Sequence, residues 1–131
     1  MREGPGVDVV CKAEDMPDDL TSDIVVSAEM LEHAPDWIAA FKRMVELCNG
    51  LFVLTARGGK FMWHDYPGDY HRFSTQDFAQ ACKAVGVRPI YIGPDPQADG
   101  VFLAADCTNK INGTNEWPTA LTTEQALGPR R

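Results

Sequence analysis

Asp23-Ile24-Val25-Val26-Ser27, then Pro35-Asp36 opening a segment with Trp37, Ile38, Phe41, Met44, Val45 and Cys48, then Leu51-Phe52-Val53-Leu54-Thr55: this stretch decides the fold. The two flanking runs are short, β-branched and apolar on both faces, the pattern of strands buried inside a parallel sheet. Between them the apolar residues recur on one side of a helix, Pro35-Asp36 supplies a start, and Asn49-Gly50 is read as the stop. Strand, helix and strand with short connections imply a parallel crossover, and hence an α/β fold.

Working outward, Val7-Asp8-Val9-Val10-Cys11 reads as a further strand after the turn-forming Gly4-Pro5-Gly6. Downstream, Ser74 with Asp77 three residues on forms a capping signal. Phe73 and Phe78 occupy the positions of a hydrophobic staple, and Gly86 closes that helix. Val87 to Ile92 and Val101 to Ala105 are two more strands, joined by a Pro/Gly-rich turn that suits an antiparallel hairpin. The expected domain spans residues 1–106, and residues 107–131 are expected to form an irregular, partly disordered tail anchored at Trp117.

The 131 residues are 44% hydrophobic and 24% charged, with a net charge of −7, a composition expected of one globular domain. Residues 1–36 carry ten acids against Arg2 and Lys12, which argues against a nucleic-acid partner. No run is long enough to span a bilayer and the start lacks the apolar core of a signal peptide, so the expectation is a cytoplasmic protein without a membrane partner. Cys11, Cys48, Cys82 and Cys107 are scattered without a C-x-x-C pair, and no metal site is expected. The sequence contains no P-loop, G-x-S-x-G elbow or H-E-x-x-H motif.

Three segments carry a family resemblance. They are Gly6-Val7-Asp8-Val9-Val10 with Ala13-Glu14-Asp15-Met16-Pro17, then Ser22 to Asp36 with its Leu31-Glu32-His33, and then His64-Asp65-Tyr66-Pro67-Gly68-Asp69-Tyr70-His71-Arg72-Phe73-Ser74. In this order, over roughly residues 4 to 105, the chain resembles the later part of class I S-adenosylmethionine (SAM)-dependent methyltransferases, in particular those acting on small molecules and saccharides. The resemblance implies a truncated Rossmann-like sheet of about five strands, matching the family's third to seventh, with two main helices and a C-terminal antiparallel hairpin. The family's cofactor-binding glycine turn has no counterpart, since Gly4-Pro5-Gly6 precedes a strand and Pro5 lacks an N–H.

By the same resemblance, Asp15, Met16, Ser27 and Glu29 would line the adenine side of a SAM site, with binding weakened by the missing turn. The 64–72 loop would face a substrate through Asp65, Tyr66, Asp69, Tyr70 and Arg72, with His64 or His71 as general base. Plainer readings stand beside these: Asp15 in a solvated turn, and Arg72 pairing with Asp69 to clamp the loop. Two functions from different classes follow. One is a non-catalytic binding or interfering module, of a kind a phage could encode; the other is an active methyltransferase whose cofactor half comes from another chain. A homodimer, or a protein partner covering the exposed sheet edge, is expected in either case.

Overall fold

The computed structural model describes residues 2–63 and 68–128. Its elements are β1 (Ser22–Ala28), α1 (Trp37–Leu47), β2 (Cys48–Arg57), β3 (His71–Arg72), α2 (Thr75–Val85), β4 (Arg88–Pro94), β5 (Gly100–Asp106), β6 (Leu121–Thr122) and α3 (Thr123–Leu127), with 3-10 turns at Ala13–Asp15 and Leu31–His33. The main sheet has four strands in the order β1-β2-β5-β4, and β3 pairs with β6 in a separate ribbon. β1 and β2 are parallel, whereas β5 runs antiparallel to both of its neighbours. The α/β class, the parallel crossover and the C-terminal antiparallel pair are therefore present.

Local sequence explains the helices. The Asp36 carboxylate accepts from the Ala39 N–H at 3.1 Å and starts α1. Ser74 and Asp77 exchange hydrogen bonds in a full capping box at the start of α2, and Gly86, at φ 77°, ends it in the left-handed region. Both helices lie on one face of the sheet. Phe41 of α1 meets Phe52 of β2 edge-on at 5.5 Å and stacks on Phe78 of α2 at 6.1 Å, and Trp37 joins this cluster through Phe73. Cys48, Cys82 and Cys107 are free thiols buried in the same core; burial pushes the Cys82 thiol up to about 12.

Three expectations are corrected. Val7 to Cys11 forms no strand, so the main sheet has four strands and not about five. Val7, Val9 and Val10 are exposed, and a strand exists only where a neighbour accepts its hydrogen bonds. Among the described residues nothing pairs with the outer edge of β1. Secondly, α1 stops at Leu47, and Gly50 lies inside β2. A Cβ at Gly50 would collide with the Asp23 carbonyl, so this glycine permits close approach of β1 and is not a helix stop.

The third correction concerns the tail, which is irregular to residue 120 but then contributes β6 and α3. It is held because it completes α2. Ile111 N–H donates to the Gly86 carbonyl at 2.9 Å, Thr114 N–H to Lys83 at 3.1 Å and Asn115 N–H to Ala84 at 3.2 Å. These bonds satisfy carbonyls that a helix end leaves without partners. Trp117 then packs edge-on against Trp37 at 5.9 Å.

The opposite face of the sheet has no helix. Cross-strand register places Ile24 and Val26 of β1, Leu51 and Val53 of β2, Phe102 and Ala104 of β5 and Tyr91 of β4 together on it.

Candidate functional site

Parallel β1 and β2 end side by side at Ala28 and Arg57, and an α/β sheet binds ligands outside such carboxyl ends. The chain turns sharply here: Glu29 adopts φ 56°, and its N–H donates to the Thr55 carbonyl at 2.9 Å. That turn presents the Glu29 carboxylate to the Arg57 guanidinium as an ion pair. Arg57 also lies 4.0 Å above the centre of the Phe61 ring, a cation–π contact. Ser27 is buried one residue before the end of β1, and its hydroxyl has no hydrogen-bond partner among the described residues.

The following 3-10 turn carries Glu32 inward until it is fully buried, with neither carboxylate oxygen hydrogen-bonded to a side chain. Burial raises its pKa above the usual carboxylate range, opposed by nearby backbone amides, His33 and Arg72. His33 Nε2 lies 3.8 Å from the Glu32 carboxylate, and the other ring nitrogen of His33 bonds the Gly68 carbonyl. Tyr70 N–H donates to the Glu32 carbonyl at 2.8 Å, so this turn tethers the far end of the long loop.

Arg72 is the largest fully buried side chain among the described residues and organises that loop. Its guanidinium forms a forked pair with Asp69, one arm at 2.8 Å, and donates to the Met62 carbonyl at 2.9 Å and the Thr123 hydroxyl at 3.2 Å. Thr123 in turn donates to Asp69 at 3.0 Å. Arg72 and Asp69 therefore clamp the loop to β6 and α3, with their polar groups turned inward.

His71 Nε2 donates to the Pro35 carbonyl at 3.1 Å. Its Nδ1 is buried without a partner among the described residues. His71 and Tyr70 line a cleft of about 400 Å³ together with Pro35, Trp63, Asp69, Thr122, Thr123 and Glu124.

Of the four residues that the resemblance assigns to a SAM site, two line one groove. Asp15 and Met16 line a groove of about 460 Å³ beside α1, with Glu14, Ala39, Lys42, Arg43 and Glu46. Arg43 bridges it, donating to the Met16 carbonyl at 2.8 Å and the Asp18 carboxylate at 2.6 Å. Ser27 and Glu29 line neither this groove nor the cleft. His64, Asp65 and Tyr66 lie outside the described residues.

Arg57 and Thr123 were not singled out from the sequence. Arg57 had a signal, being the first charge after the apolar run of β2; Thr123 had none. Gly58-Gly59 also follows β2, but the Gly58 N–H donates to the Asp99 carbonyl at 3.1 Å and the Lys60 N–H to its carboxylate at 2.6 Å. Asp99 thus takes up amide donors that an anionic ligand would need. Among the described residues no group of His, Cys, Asp and Glu could hold a metal ion, and no helix is long and apolar enough to cross a membrane.

Compared with protein families, with curated proteins and with solved structures, the chain matches none.

Proposed function

We propose that the chain is a SAM-dependent methyltransferase-like α/β module that acts by binding and not by catalysis of its own. The observation that carries the fold relation is the placement of β5, antiparallel between β2 and β4. The resemblance pairs β2, β4 and β5 with the family's fifth, sixth and seventh strands and implies an antiparallel hairpin at the end of the sheet. The resemblance also rests on the Leu31-Glu32-His33 segment that follows β1 and on the 64–72 segment that precedes α2 in the sequence.

The non-catalytic half of the proposal is supported by how the polar groups at the strand ends are used. Glu29 is paired with Arg57, Arg72 with Asp69, and the amides after β2 with Asp99. Asp15 and Met16 line a groove that Ser27 and Glu29 do not line, which speaks against one shared cradle for SAM. Free thiols at all four cysteines fit a reducing compartment such as the cytoplasm.

A second reading, an active enzyme completed by another chain, is favoured by the edge of β1, open among the described residues, and by the buried His71 Nδ1 beside the cleft, which has no partner among them. Incubation of the pure chain with methyl-labelled SAM and a panel of saccharides and small hydroxyl compounds separates the two. The proposal expects no label on any acceptor; labelled product made by the chain alone overturns it.

A further inference from the structure

The helix-free face of the sheet has the make-up of a protein interface. Ile24 is 61% exposed, Val26 66% and Tyr91 50%, and they flank Val53, Phe102 and Ala104 on one continuous surface without a charge in its middle. Tyr91 lies flat along it, over Gly93 and 6.0 Å from the Phe102 ring. Charges stand only at the two ends, and each is neutralised there: Arg57 by Glu29 at one end and Arg88 by Asp106, at 2.9 Å, at the other. An apolar centre inside a self-neutralised polar rim is how protein–protein contacts are built.

We propose that this face is covered by the same face of a second copy, the two sheets stacking about 10 Å apart as a two-fold sandwich. The inference rests on the sheet alone and is independent of the methyltransferase reading. Self-pairing suits the surface because it is flat, uncharged at its centre and neutral at both ends, so a copy laid across it brings no like charges together. Three of the four strands have seven residues; at strand spacings of about 4.8 Å and rises of about 3.3 Å the face projects to ~440 Å². Side-chain relief enlarges that figure toward, but not far beyond, the ~600 Å² per partner that marks the small end of specific interfaces. A contact of this small size is expected to be reversible.

The rest of the molecule sets the salt dependence. Each copy carries a net charge of −7 with its acids concentrated in residues 1–36, so two copies repel one another while the contact itself is neutral. Added salt screens that repulsion and tightens the dimer.

Sedimentation equilibrium of the full chain from about 1 to about 300 μM tests this. Expected is a monomer–dimer equilibrium that tightens with salt. Val26→Lys and Ile24→Lys, each at a position already largely exposed and so compatible with folding, weaken it by more than about tenfold. Gln76→Ala on α2, a charge-neutral change at an exposed position in the layer on the other side of the sheet, leaves it unchanged, and circular dichroism verifies that each variant is folded. A monomer at every concentration overturns the proposal, as does a dimer that survives both substitutions in folded protein or loosens with salt. Concentration-dependent hydrogen-exchange protection along the outer edge of β1 also overturns it, because that pattern belongs to edge-to-edge pairing.

Discussion

Replacing Arg72 with methionine tests the account of the loop most severely. The guanidinium is buried, and its partner Asp69 has a fully buried carboxylate. Methionine fills much of the volume but leaves that carboxylate without its cation and the Met62 carbonyl without its donor. Breaking a buried pair from one side costs about 3–5 kcal/mol, a large part of the ~5–15 kcal/mol that holds a domain together. For a chain of this length the melting temperature should fall by roughly 10–20 °C. The double variant Arg72→Met with Asp69→Leu removes both charges, so it should recover more than half of the loss measured in urea. A loss below about 1 kcal/mol for the single variant, or no recovery in the double, would refute the clamp and return both residues to the candidate binding surface.

Three further perturbations follow from the same structure. Glu32→Gln should stabilise the protein at neutral pH: the folded-state pKa is raised, so the native carboxyl binds its proton more tightly than the unfolded one, and stability falls as pH climbs from the unfolded value toward the folded one. Urea melts at pH 4 and pH 7 check this, since the gain must shrink at the lower pH. Gly86→Ala should cost at least about 1–2 kcal/mol, because φ is 77° and the new Cβ would strike the Ile111 carbonyl; hydrogen exchange should show amides 111–115 losing protection before the rest. Ser74→Ala removes half of the α2 capping box and should cost about 1 kcal/mol in thermal melts.

The parts of the fold legible in the sequence were those that short-range chemistry specifies. Ser74, Asp77 and Gly86 announce α2 because capping acts over three or four residues. The apolar runs at residues 24–26 and 51–54 announce β1 and β2, but burial on both faces, which their pattern suggested, is not found: Ile24 and Val26 are exposed because no helix covers that side of the sheet. Val7 to Val10 has the same composition but no neighbour to pair with, and pairing is not a local property. Gly50 was misread for a similar reason: what requires glycine there is the Asp23 carbonyl, supplied by another strand.

In the candidate site, Asp69 and Arg72 stand three residues apart and their pairing could be read in advance. Thr123, 51 residues from Arg72, could not. The Thr122 and Gln125 capping box that starts α3 was present in the sequence but was outweighed by the polar composition around it.

Calorimetric titration of the pure chain with SAM and its demethylated product, carried to millimolar ligand, tests the central claim most directly. A binding module without a completed cofactor cradle shows no saturable heat below about 1 mM. Saturation near about 1 μM would contradict the account, placing a working cofactor site on this chain or on its dimer.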